Sequence, residues 1–282
     1  FSKTPLVMSN RSCLLYLLLA ITLTAGALYG ITRVIWSRLE RMAPGLDASM
    51  DRFEASLGEP LWIEIQSQNP PIQDEKAQKA LNRLLHRLCA PNGIDTAGLH
   101  RHLVQNPEVN AFAMPGRRLV IQSGLIQKAK NPDEVAGVLA HEIAHAEQGH
   151  IRRKILKEAG LSLLMAWISG GLGGGPTGIH ELARVLSSTA FDRTYEAEAD
   201  RVAVRYLQTA RIDPEGLAVF MDRLAANEKE NPTPPEWLST HPASPKRAVT
   251  IRHQAAQNPN TAYQPSLNES DWQALQKATS QP

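Results

Sequence analysis

Between Asn131 and Gly149 the chain carries a helix whose two faces differ in chemistry, and no other stretch limits the fold as much. Asn131-Pro132-Asp133-Glu134 is helix-start chemistry: an Asn able to accept from a free backbone N–H, a Pro at the first helical position, and acids where the macrodipole favours them. Gly149 is the stop, so the pattern predicts a helix from Pro132 to about Gln148. Val135, Val138, Leu139 and Ile143 make an apolar face. His141 and His145 lie on another, one turn and about 40° apart, so both imidazoles can reach a single metal ion. Glu142 comes next in sequence, placed to address a water on that metal without being a ligand. From the chain's own composition, His-Glu-x-x-His should arise by accident about 0.02 times.

A zinc site that does chemistry needs a third protein ligand and an open position. His150 is one candidate, but it lies past the Gly149 stop and about 160° around the helix from the histidine pair, so it is expected to face solvent. The metzincin spacing is excluded, because Gln148 and Ile151 stand where that class needs Gly and His. The better candidate is Glu196, in Tyr195-Glu196-Ala197-Glu198-Ala199-Asp200. If that segment is helical, Glu196 and Asp200 share a face at i, i+4 and Glu198 points away. Asp200 is then placed to orient a ligand imidazole.

The rest of the chain reads as mainly helical. Leu81, Leu84, Leu85 and Leu88 have the spacing of an amphipathic helix, and residues 110–122 read as two short strands about a Pro115-Gly116 turn. Leu161 to Ile168 reads as a buried helix. Gly170 to Gly178 reads as a flexible loop or as a flap over a cleft. Further helical patterns run at about Ile179–Ser188, Tyr195–Ala210 and Pro214–Ala226, with an irregular Asn231–Pro245 and a helix of about ten residues after it. Nothing suggests alternating βα units, so the expected class is α+β, mainly helical.

Ser12 to Thr32 is uncharged and spans about 31 Å as a helix, which matches a bilayer core. It is read as an uncleaved anchor or, with Ala25-Gly26-Ala27 as a cleavage site, as a signal peptide. Arginines flank it on both sides, so charge does not fix its orientation. The expected organisation is therefore an anchor or signal in 1–36, a connector in 37–72, a metal-dependent domain in 73–257 and a polar tail in 258–282. Cys13 and Cys89 give no disulfide framework. A net charge of +2 with no basic block argues against nucleic acid as a partner.

These blocks resemble the HtpX-like, CAAX-prenyl-protease type family of membrane-linked zinc metallopeptidases, which are gluzincins. The resemblance covers roughly residues 50 to 255. It rests on Asn110-Ala111-Phe112-Ala113 with Pro115-Gly116, on Gly124-Leu125, on His141 to His145, on Arg193 with Glu196 to Asp200, and on Ser239-Thr240-His241-Pro242 with Arg247. Arg117 stands where a second glycine is common, and Asp192 where a serine often precedes the arginine.

The resemblance implies a zincin-like domain with a small β-hairpin beside the active-site helix. It implies one Zn²⁺ on His141, His145 and Glu196, with Asp200 and Arg193 supporting the ligands. It also implies that the strand Asn110, Ala111, Phe112, Ala113 and Met114 borders the substrate groove, and that His241 approaches the metal from a loop. There His241 is expected to stabilise an oxyanion while Glu142 acts as general base and acid.

The expected activity is zinc-dependent hydrolysis of peptide bonds in misfolded or unassembled membrane and envelope proteins. The expected place is a bacterial inner membrane with the domain in the periplasm; alternatives are secretion to the periplasm after signal cleavage or the mitochondrial inner membrane. Expected partners are protein or peptide substrates and the lipid bilayer, with oligomerisation left open. The rival reading is a noncatalytic anchored chaperone or assembly factor with a structural metal.

Overall fold

The computed structural model describes Gly26 and residues 46–158, 175–188, 190–230, 235–242, 245–258 and 261–280. Contacts divide the chain into Phe1–Arg52 and Phe53–Pro282, and the second unit carries the fold and the site. The expected anchor in 12–32 lies outside the described residues apart from Gly26, as do the expected buried helix at 161–168 and the first half of the glycine-rich stretch. Among the described residues no helix is long and apolar enough to cross a membrane.

The expected mainly helical α+β architecture is present. In chain order the elements are α1 (Leu46–Gln68), α2 (Glu75–Cys89), β1 (His100–Val104), β2 (Ala111–Met114), β3 (Arg118–Gln122), α3 (Ser123–Lys128) and α4 (Pro132–Glu147). Helical residues 150–158 follow. Then come α5 (Gly175–Ser188), α6 (Arg193–Thr209), α7 (Glu215–Glu230), α8 (Glu236–Thr240), α9 (Pro245–Ala255) and α10 (Glu269–Thr279).

Helix α4 is the axis of the fold. Asn131 Oδ1 accepts from the Glu134 N–H at 3.0 Å, and Gly149 ends the run at φ +68°, as the sequence pattern predicts. Val135, Val138, Leu139 and Ile143 are buried among α2, β2, α6 and α7. The helix is buried almost all round, because its second face is turned into the protein as well. Gly137 permits the close crossing with α7, since a Cβ there would meet Leu217 Cβ at 2.7 Å.

The hairpin expected in 110–122 is β2 and β3, antiparallel, with Phe112 opposite Val120. The sheet order is β1-β3-β2, with β1 parallel to β3, so β2 is an edge strand. Strand β1 was not expected: His100-Arg101-His102-Leu103-Val104 is too polar to show a period of two. Arg117 holds a left-handed φ of +53° in the hairpin turn, a conformation that favours glycine, and its guanidinium donates to the Asp95 carbonyl at 2.8 Å.

The 37–72 segment, expected to mix a short helical pattern with Pro and Gly, contains helix α1, with Phe53, Leu57, Leu61 and Ile65 buried at four-residue intervals despite Pro60. The tail expected to be polar contains α10, whose Trp272 and Leu275 are buried in the core. Asp271 there accepts from Arg83 of α2, with Nε to Oδ2 at 2.6 Å.

Candidate metal centre

Four elements deliver one side chain or more to a single point. His141, Glu142 and His145 come from α4, Glu196 and Asp200 from α6, Trp237 from α8 with His241 at its end, and Arg247 from α9. All are buried or nearly so.

His141, His145, Glu196 and His241 each offer one ligand atom, and these four atoms lie within 4.8 Å of one another. His141 Nε2 is 3.0 Å from His145 Nε2 and 3.2 Å from His241 Nδ1. Glu196 Oε1 is 3.3 Å from His145 Nε2 and 2.9 Å from His241 Nδ1. Zinc–nitrogen bonds of about 2.0–2.1 Å in a tetrahedron put neighbouring ligand atoms about 3.3 Å apart, so the set has the right size for Zn²⁺.

The electrostatics agree with a cation. Three imidazole nitrogens and a carboxylate oxygen converge in a buried site, where lone pairs turned toward one another are costly without a cation between them. Burial resists charge on His141, yet Asp200 and Glu196 outweigh it and raise its pKa to about 9, so the pocket calls for positive charge. Burial also acts against Glu196, but His241, His141 and His145 hold its carboxyl well below the usual range. His145 goes the other way: burial, helped by the neighbouring histidines, pushes its pKa well down and leaves a neutral ring with a lone pair to give.

The supporting residues differ partly from expectation. Asp200 Oδ1 lies 3.0 Å from His141 Nδ1, where a carboxylate orients a ligand ring. Arg193, expected to support the ligands, is instead exposed at the start of α6. Arg247 takes that place: its Nε and Nη2 donate to Asp200 at 2.7 and 2.8 Å, and its Nη1 is 2.7 Å from Glu196 Oε2. Burial opposes ionisation of Asp200, but Arg247 and His141 lower its pKa all the same.

Sequence reasoning missed Trp237, whose Nε1 donates to Glu142 Oε1 at 2.9 Å. His241, expected as an oxyanion donor, points Nδ1 at the ligand set and Nε2 at Glu142 Oε1, 3.3 Å away. His150, expected to face solvent, is fully buried, with Nδ1 3.1 Å from His145 Nδ1. The left-handed residue Gly149 breaks the helical phase, so counting 100° per residue past it fails. Asn110 is buried just ahead of the edge strand β2, which carries Ala111 to Met114; the Trp237 backbone N–H donates to the Val109 carbonyl at 3.2 Å, in the segment that leads into that strand.

A His-Glu-x-x-His helix joined by a glutamate from a later helix is the ligand arrangement of zinc metallopeptidases of the gluzincin kind. Residues 75–255 match Peptidase family M48, and the chain belongs to that family. It is 31% identical over 232 residues to the beta-barrel assembly-enhancing protease of Yersinia pestis, covering 76% of this chain and 46% of that protein. The protein of the same name from Escherichia coli K12 is 30% identical over 216 residues, covering 72% of this chain and 44% of its own length. The mitochondrial metalloendopeptidase OMA1 of Schizosaccharomyces pombe is 26% identical over 232 residues, covering 81% of this chain and 68% of that protein. The chain thus spans less than half the length of the first two relatives.

Proposed function

We propose that the chain is a zinc-dependent endopeptidase that cleaves misfolded or unassembled membrane and envelope proteins. The observation that carries this is the meeting of His141, His145 and Glu196 with Glu142 held beside them. His141, His145 and Glu196 would hold the zinc ion, which would supply Lewis-acid chemistry for water and the scissile carbonyl. Glu142 accepts the proton of the attacking water and passes it to the leaving amine. Trp237 fixes one oxygen of that carboxylate, so the other is presented in a constant direction. Asp200 and Arg247 keep His141 and Glu196 in place.

His241 completes a set of four ligand atoms, which is a closed arrangement. With His241 in that set no position would be left open, so turnover would require its ring to be withdrawn from the ligand atoms. Extended substrate backbone adds to β2 along Ala111 to Met114, so recognition depends on conformation more than on sequence. The names of the relatives, one for β-barrel assembly and one mitochondrial, support a substrate in membranes or the cell envelope. The 12–32 segment anchors the chain in a bacterial inner membrane with the catalytic domain in the periplasm. Carbonate extraction and protease protection of spheroplasts check both points, and a shielded domain would refute the orientation.

The four-ligand set also favours a second reading, a structural metal in an anchored chaperone or assembly factor. The two part on one experiment: cleavage of an unfolded casein-type substrate by wild type and Glu142→Gln, with zinc measured in both. The peptidase reading expects equal zinc and at least about 100-fold lower turnover in the variant. Equal turnover in the two would overturn it.

A further inference from the structure

His145 has two neighbours of opposite kind. Its Nε2 belongs to the ligand set, while its Nδ1 faces His150 Nδ1 at 3.1 Å. His150 Nε2 in turn lies 3.4 Å from Glu198 Oε2, and the ring stacks on Tyr195 at 4.6 Å with 19° between the planes. Tyr195 and Glu198 are on α6, the helix that supplies Glu196. Residues 196 and 198 lie about 200° apart around a helix, so α6 reaches His145 directly through one acid and by way of His150 through the other.

The proton positions follow from the nitrogens. Two Nδ1 atoms 3.1 Å apart have room for a single proton between them. An Nε2 that gives its lone pair to a metal leaves the proton of His145 on Nδ1, which therefore donates. His150 must then accept at Nδ1 and carry its own proton on Nε2, facing Glu198.

We propose that His150 is a positioning residue for the metal: the chain Glu198–His150–His145 selects the ligating tautomer of His145 and aims its ring at the ion. The inference rests on the metal reading given above. It goes beyond packing, because it requires an acceptor at one ring atom and a carboxylate at the other. Outer partners of ligating histidines are typically worth about 10- to 100-fold in metal affinity.

The test is zinc affinity, measured by chelator competition on the full chain, together with the melting temperature of the metal-free protein. His150→Phe keeps a ring to stack on Tyr195 but offers no acceptor; His150→Asn offers Oδ1 near the place of Nδ1. We expect about 10- to 100-fold weaker zinc binding in His150→Phe, affinity within about threefold of wild type in His150→Asn, and metal-free melting temperatures alike in both. Glu198→Leu probes the same link from a partly exposed position that folding tolerates, and weakens zinc binding in the same direction. Wild-type affinity in both His150→Phe and Glu198→Leu, or equal losses in His150→Phe and His150→Asn, overturns the relay. His145→Ala separates the underlying reading: if it binds zinc as wild type does, the ligand assignment itself has failed, whereas a failed relay leaves His145→Ala without zinc.

Discussion

Trp237 grips Glu142: an indole N–H donates to carboxylate Oε1 at 2.9 Å across 95 residues of sequence, and both side chains are buried. A hydrogen bond to a charged group is worth about 1.5–3 kcal/mol, and here it fixes the direction of the proposed general base. Trp237→Phe fills most of the volume without the donor. The expected result is turnover reduced about 10-fold or more, with zinc content unchanged. Steady-state kinetics with metal analysis checks this, and unaltered turnover would mean the bond does not orient the base.

Arg247 and Arg193 should behave oppositely. Arg247→Met leaves two buried carboxylates, Asp200 and Glu196, without their shared cation, an arrangement that costs about 3–5 kcal/mol. Added zinc should restore more of the melting temperature in this variant than in wild type, because the ion then supplies the missing charge. Arg193→Ala, on the surface, should shift stability by no more than about 0.5 kcal/mol. Thermal melts with and without zinc decide both, and a large effect at Arg193 would reverse the assignment.

His241→Ala should retain one zinc per chain on the remaining three ligands and cleave unfolded substrate faster than wild type, since the fourth corner is then open. Metal content and turnover are read on the same preparation. Slower cleavage with zinc retained would return His241 to the role of an oxyanion donor.

Part of the acid sensitivity should come from His102, well away from the metal ligands, whose ring stacks on Trp62 at 3.6 Å and whose Nε2 lies 3.1 Å from the Arg118 guanidinium. Burial, then the charge of Arg118, lowers its pKa to about 4. An unfolded His takes up its proton near pH 6.5, so between about 6.5 and 4 the unfolded chain binds more protons than the folded one. The contribution to stability is therefore complete above about pH 6.5 and lost as pH falls through about 4. Denaturant unfolding of wild type and His102→Phe across this range should show a shallower acid decline in the variant; parallel curves would exclude His102 as the cause.

Local chemistry made some of this architecture readable and distance hid the rest. Asn131, Pro132 and Gly149 announce α4 because caps act within one turn, and the histidine pair follows from helix geometry alone. Glu196 and Asp200 were legible for the same reason: both sit one turn apart on α6. Arg247, Trp237 and His150 reach the site only through tertiary packing, and no periodicity marks them. Strand β1 is held by parallel pairing to β3, which needs no alternation in its own residues. The full length of the 46–68 helix was masked by Gly58 and Pro60, which tertiary packing overrides.

The turn at Gly149 has a chemical meaning that its small size conceals. A methyl group on its Cα would meet nothing nearer than Arg152 Nη2 at 3.5 Å, so space is not what excludes a side chain. The obstacle is handedness, because φ of +68° suits L-residues poorly and would suit their mirror images. In a chemically synthesised chain, D-alanine at 149 should preserve the swing that brings His150 under His145, whereas L-alanine should oppose it. On this reading the candidate metal centre would depend on one achiral backbone position that contributes no ligand atom of its own.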